Sequence, residues 1–247
     1  MKIGFIILAH DRPDNVIRLI RRLTEHGDLV ALHYDLKSSE ASHRKIIDAL
    51  RGNRRIVLAE RVAVKWGEWS VVQATLNCIE ALASTAEPID YVSLLSGSCY
   101  PTRSLLELHA FLERHQGEEF IECRPADGTR FVTRGIQCER YRFFHYLNWR
   151  DHPQLFSLSL KIQAALKIWR WLPNGMTAHI GSQWWTLTWE TCDAIRVAAT
   201  NPQIVRFFRR VWVPDELFFQ TLAAHVASKE HIRGRTLTLH HFSPHDS

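Results

Sequence analysis

The sequence predicts an α/β fold: a mainly parallel central sheet with helices on both faces. Two observations carry this. Strand-like and helix-like stretches alternate four times within about the first 115 residues, the signature of parallel strands joined by crossover helices. The first strand-like stretch, IGFIILAH (3–10), is continuously apolar, as a strand buried on both faces must be.

The elements follow in order. After IGFIILAH comes DRPDN, in which Asp11 can cap and Pro13 suits a first helical turn. Val16, Ile20 and Leu23 then mark one helix face. LVALHYD (29–35) reads as the second strand and HRKIIDAL (43–50) as the second helix. RIVLAE (55–60) is the third strand, and WSVVQATLNCIEALA (69–83) a helix with Val72, Leu76, Ile79 and Ala83 on one side. IDYVSLLSG (89–97) and SLLELHAFLERH (104–115) complete the alternation. The second half is less regular. EFIECRP (119–125) and GSQWWTLTW (181–189) read as strands, and 126–153 as a loop rich in Arg and aromatic residues. SLKIQAALKIWRWL (159–172) reads as a helix, and so does VPDELFFQTLAAHVA (213–227), entered through Pro214. Without repeat, low-complexity tract or linker, residues 1–247 read as one domain.

Composition narrows the function classes. With 46% hydrophobic and 23% charged residues, the 247-residue chain can bury a full core without staples. Net charge is +5, but the cations are scattered, with pairs only at Arg21-Arg22, Arg54-Arg55 and Arg209-Arg210. That argues against nucleic-acid binding. A mild positive field suits an anionic small molecule such as a nucleoside diphosphate, and allows peripheral contact with an anionic membrane face. The five cysteines (Cys78, Cys99, Cys123, Cys138, Cys192) form no CxxC pair, so neither a disulfide framework nor a zinc site is expected. The N-terminal apolar run Ile3–Ala9 is too short for a signal peptide or a membrane span, so a cytoplasmic protein is expected.

In an α/β sheet ligands sit at the carboxyl ends of the strands. There the sequence has His10 and Asp11, then His33 and Asp35, then Ser96, Gly97 and Ser98. In HYDLK (33–37), Asp35 and Lys37 are either solvated charges or contacts for a ribose or base. In LLSGSCYP (94–101) the small residues make a tight turn or permit close ligand approach. In GSQWWTLT (181–188), strand alternation sends one of Trp184 and Trp185 into the core and the other toward a cleft, where it is a candidate sugar platform. In VPDELF (213–218), Asp215 and Glu216 are either first-turn acids favouring the helix dipole, or a general base beside apolar Trp212 and phenylalanines. GxGxxG, P-loop, HExxH and GxSxG are absent.

Taken together, ILAHDRP, HYDLKS, ERVAVKWGEWSVVQATLNCIEAL, YVSLLSGSCYPTRSLLEL, GSQWWTLT and VPDELFFQTL resemble, in order and spacing, the core-2/I-branching β-1,6-N-acetylglucosaminyltransferase family, which also contains protein O-xylosyltransferases. The resemblance implies a GT-A-type glycosyltransferase fold, with 1–118 binding the nucleotide sugar and 119–247 holding the acceptor and catalytic half. It implies inverting, metal-independent transfer from a UDP-sugar (N-acetylglucosamine favoured, xylose second) to a glycan hydroxyl, with Glu216 as base and no cofactor. The donor would meet Ala9, His10, Asp35, Lys37, Trp66, Ser96, Gly97 and Arg235. The other substrate contacts would be Gln183, Trp184, Trp185 and Asp215.

Two departures stand out. The family's S-G-x-D-x-P signature has Cys99 in place of its Asp, and the chain stops at LTLHHFSPHDS without the family's basic A-R-K-F-like stretch. Either Lys229, Arg233, Arg235 or the His240-His241 pair substitutes, or the segment has been removed, or it lies in a longer parent protein. The alternative reading is a non-catalytic glycan- or nucleotide-binding module that retains the fold. Without the membrane anchor and secretory cysteines of animal relatives, the resemblance points to a bacterial cytoplasmic enzyme, peripheral at most to the inner membrane.

Overall fold

The architecture is that of a computed structural model, which describes residues 1–126 and 138–239. β1 (Ile3–Ala9) has only Leu8 less than fully buried. It passes through Arg12, in the left-handed region at φ +46°, into α1 (Pro13–Thr24), which buries Val16, Leu19, Ile20 and Leu23. β2 (Leu29–Tyr34) is buried at every position, and α2 (Glu40–Ala49), β3 (Ile56–Leu58), α3 (Trp69–Ala83), β4 (Tyr91–Ser96) and α4 (Leu105–Arg114) follow. Ser104 and Glu107 form a reciprocal capping box that starts α4.

The second half contains β5 (Phe120–Ile121), β6 (Arg124–Pro125), α5 (Glu139–Arg142), α6 (Pro153–Ala165), β7 (His179–Ile180), β8 (Trp185–Thr188), α7 (Trp189–Ala198), α8 (Pro202–Phe208) and α9 (Phe218–Val226). The central sheet has the order β3-β2-β1-β4-β8-β5. Its first four strands are mutually parallel, and β8 is antiparallel to both β4 and β5. α1 and α4 cover one face, together with Ile46 of α2, while α3, α7 and α9 cover the other. The strand order reverses between β1 and β4, which opens a crevice at their carboxyl ends. Among the described residues, none of the five cysteines forms a disulfide.

The structure redraws several segments of the second half, among them the strand expected over 119–125, which divides into β5 and β6 in separate sheets. The helix expected over 159–172 is α6, which starts earlier because Pro153 takes the first turn and ends before Lys167, at φ +52°. The helix expected over 213–227 is split into a 3-10 turn, Pro214–Glu216, and α9. The strand expected over 181–189 shrinks to β8, because Gly181 to Trp184 make a turn. α7 and α8 occupy a stretch for which the sequence reading has no element. Their start signals are the side chains of Thr188, accepting from the Thr191 amide, and Asn201, accepting from the Gln203 amide. The expected loop 126–153 contains α5, and 127–137 lie outside the described residues, as do His240 and His241.

Candidate active site

The strand ends gather most of the residues expected around a nucleotide. The Asp35 amide donates to the Ala9 carbonyl (2.8 Å), tying the ends of β1 and β2 together. Ser38 donates its hydroxyl to the His10 carbonyl (2.5 Å). Asp35 is buried, and its Oδ1 accepts from the amides of Lys37 (2.9 Å) and Val64 (3.3 Å). Its Oδ2 makes no hydrogen bond with a described residue, while His10 and Lys37 are exposed beside it. Across the crevice, Gly97 lies so close to β1 that a Cβ there would stand 2.7 Å from that of Ala9. The glycine is a requirement of the β1–β4 crevice itself. Cys99 has a local role: its sulfur accepts from the Ser96 amide (3.3 Å), holding the turn after β4.

Residues 60–68 lead from this edge to the acidic turn. The Leu36 amide donates to the Val62 carbonyl (3.1 Å), so the segment starts beside Asp35. It ends at Gly67, whose carbonyl accepts from the Val213 amide (3.1 Å). Gly67 has φ +74°, and a Cβ there would sit 3.0 Å from the Trp212 ring, so both backbone and space call for glycine. Trp66 meets Trp212 edge-on (centroids 5.4 Å) and carries the Arg150 guanidinium 3.8 Å above its ring. Trp66 therefore lies against the acidic turn, at the end of the segment that starts at the Asp35 edge.

The turn around Pro214–Glu216 is rigid and strained. Val213 has φ +51°, an unusual conformation for a β-branched residue. Arg140, almost fully buried, holds it there. Its guanidinium donates to the carbonyls of Trp212 (3.3 Å) and Val213 (3.1 Å) and to Glu216 Oε2 (2.8 Å). The Glu216 side chain is 36% exposed, and its Oε1 makes no hydrogen bond with a described residue. One carboxylate oxygen is thus fixed and the other is free to meet a substrate.

Asp215 faces the other way. It is buried, it caps no helix, and its Oδ1 has no partner among the described residues. Burial, reinforced by the neighbouring Glu216 charge, pushes its pKa up to about 7. Asp215 is therefore neither a helix-capping acid nor open to a sugar, as the substrate contact expected of it would require.

The Gly181–Trp184 turn closes the site from below. The Gly181 amide donates to the Glu216 carbonyl (3.1 Å), and a Cβ at Gly181 would lie 1.9 Å from the Glu122 carbonyl oxygen. Gln220 of α9 donates to the Ser182 carbonyl (2.7 Å). Trp185 is fully buried, its ring 5.2 Å from that of Phe219, and cannot serve as a sugar platform. Trp184 and Gln183 are half-buried and remain available. Arg235 is exposed in a segment anchored at Glu119, beside β5, three strands from β1. No described contact brings it to the Asp35 edge.

A cavity of about 570 Å³ adjoins the turn, lined among others by Trp69, His145, Tyr146, Arg206, Arg209 and Trp212. Burial pushes the His145 imidazole down to about 4, so it is a neutral wall of that cavity at ordinary pH. Among the described residues, no three His, Cys, Asp or Glu converge as metal ligands would.

Arg140 is the site residue that the sequence reading misses. Its only signal was membership of an Arg- and aromatic-rich stretch, and its importance arises when the fold carries α5 to Val213.

The chain matches the family model described as Core-2/I-Branching enzyme over residues 3–246, and it belongs to that family. It is 24% identical over 231 residues to xylosyltransferase 1 of Rattus norvegicus, covering 90% of this chain and 26% of that protein. It is 25% identical over 232 residues to xylosyltransferase 2 of Homo sapiens, covering 90% and 24%. It is 22% identical over 222 residues to a beta-1,3-galactosyl-O-glycosyl-glycoprotein beta-1,6-N-acetylglucosaminyltransferase 3 of Rattus norvegicus, covering 89% and 46%. The chain thus spans about a quarter of the length of the two xylosyltransferases and less than half of the third relative.

Among solved structures it is similar to the mannosyltransferase Ktr4p of S. cerevisiae in complex with GDP (12% identity, TM-score 0.42, 93% of this chain and 68% of that one). It is also similar to mouse xyloside xylosyltransferase 1 (12%, TM-score 0.41, 97% and 85%). The GT-A class follows from the family and from the observed sheet.

Proposed function

We propose that the chain is an inverting glycosyltransferase that moves a sugar from a UDP-sugar to a glycan hydroxyl, with Glu216 as general base and without a metal. The observation that carries this reading is the Glu216 carboxylate. It is held through one oxygen by a buried arginine, left open through the other, and joined by residues 60–68 to a strand-end crevice. In the reaction, the acceptor oxygen attacks the anomeric carbon opposite the leaving diphosphate. The bond from that carbon to the UDP oxygen breaks, and the acceptor proton passes to Glu216. Arg140 orients the carboxylate through Glu216 Oε2 and the Val213 carbonyl of the same strained turn.

The uridine side falls to Ala9, His10 and Asp35, whose free Oδ2 can accept from a ribose hydroxyl or a base N–H. Exposed Lys37, two residues beyond Asp35, is the proposed partner for the negative charge of the departing diphosphate. The relatives divide between xylosyltransferases and a β-1,6-N-acetylglucosaminyltransferase, so UDP-xylose and UDP-N-acetylglucosamine are the donors to compare.

The test is donor turnover by the wild-type chain and by Glu216→Gln, which keeps an acceptor for Arg140. Loss of a general base is expected to lower turnover by about 10²–10⁴-fold while leaving UDP affinity nearly unchanged. Equal turnover in the variant would remove Glu216 from its role. UDP binding without turnover in the wild type would favour a binding module.

A further inference from the structure

We infer that α6 and the segment after it form a docking face for an anionic lipid bilayer. α6 is apolar on two sides, but the described protein covers only one of them. Its inner side seats Phe156 against Trp212 (5.1 Å) and His145 (5.2 Å), and Gln163 bonds to the Phe144 backbone amide (2.7 Å) and carbonyl (2.9 Å). Its outer side presents Leu155, Leu158 and Ile162, all exposed, at helical spacing. Leu166, 66% exposed, continues the stripe. Beyond Lys167 the chain leaves the helix and adds two exposed indoles, Trp169 and Trp171, the latter 74% exposed. A contiguous apolar strip of this kind marks an interaction surface.

The charge around the strip selects the partner. From residue 152 to residue 189 there is no Asp or Glu, while Lys161, Lys167 and Arg170 fall within the same stretch. Lys161 and Lys167 are exposed and form no ion pair with a described residue. The Arg142 guanidinium stands over the rings of Trp169 (5.8 Å) and Trp171 (5.1 Å). Leucines and tryptophans flanked by Lys161 and Lys167, in a stretch whose nearest preceding acid, Asp151, is paired with Lys65, match the chemistry of a helix lying in the membrane interface. A second copy of the chain is a poorer occupant, because a two-fold contact through this strip would set like charges against each other.

α6 is too short to cross a bilayer, and no described helix is long and apolar enough to do so; α6 would lie in the interface plane. Its inner side rests on the Trp212–Val213 pair that precedes Pro214, so docking would hold the Glu216 turn near the lipid surface.

The test is flotation of the full chain with vesicles of phosphatidylcholine, and of phosphatidylcholine with phosphatidylglycerol. Binding is expected to the mixed vesicles, weakened by salt. The double variant Leu158→Glu/Ile162→Glu is expected to lower it by about tenfold or more. These side chains are exposed, so the variant's circular dichroism and Tm should match wild type, and neither reading depends on activity. Three results would overturn the inference: no flotation with the mixed vesicles, equal binding to both vesicle types, or flotation unchanged by the double variant. A dimer in sedimentation that the same variant dissolves would assign the strip to a second copy instead.

Discussion

Asp215 and Glu216 are sequence neighbours in opposite surroundings. Glu216 looks outward with Arg140 on one oxygen, while Asp215 is buried with one oxygen unpartnered. The raised pKa falls on Asp215, about 7 against an ordinary 3.8, so the buried member holds its proton into the neutral range. An unfolded chain would release that proton near pH 4. Asp215 therefore contributes stability that is greatest below the ordinary value, declines between about 4 and 7, and stays lost above. Asp215→Asn removes this penalty. The Tm of the variant minus that of wild type should grow across that pH window and level off above it, at a difference on the order of 10 °C. Thermal melts at several pH values check this, and a difference independent of pH would contradict the assignment. Glu216 was legible in the P-D-E stretch. Arg140 was not, because a buried arginine draws its meaning from the carbonyls the fold brings to it.

At the scale of elements, the acidic turn is held from three directions. Arg140 clamps it from α5, Gly67 and Trp66 from the segment before α3, and Gly181 from the turn before β8. Phe218, directly after the turn, anchors it in the core edge-on to Trp69 (5.3 Å), Phe208 (5.1 Å) and Phe219 (5.1 Å). Phe218→Ala should cost about 3–5 kcal/mol in denaturant unfolding. Gly181→Ala brings a Cβ to 1.9 Å from backbone at Glu122, and must displace the turn whose Gly181 amide bonds Glu216. It should lower turnover more than UDP affinity, which paired kinetics and calorimetry would check. Equal losses in both would place the damage in the whole fold. The parallel half of the sheet was legible because buried strands and crossover helices write long patterns. The acidic turn and the ends of α6 were not, since positive φ at Val213 and Lys167 breaks the pattern without a glycine to announce it.

At the scale of the whole molecule, the β1–β4 strand reversal puts one crevice at the sheet edge, and residues 60–68 and α6 link that crevice to the acidic turn and to the exposed apolar strip. Residue types at the strand ends pointed to the groups that meet there; Arg235 was placed by resemblance alone, and no described contact brings it to the Asp35 edge. At this scale the proposed function requires a UDP-sugar site that serves Glu216. Its most direct test is calorimetric titration of UDP, UDP-N-acetylglucosamine and UDP-xylose into the wild-type chain and Glu216→Gln, each with EDTA and then with manganese. Saturable binding of UDP and at least one donor is expected, unaffected by EDTA and nearly equal in the two proteins. Absence of binding under every condition, or binding that appears only with manganese, would contradict it.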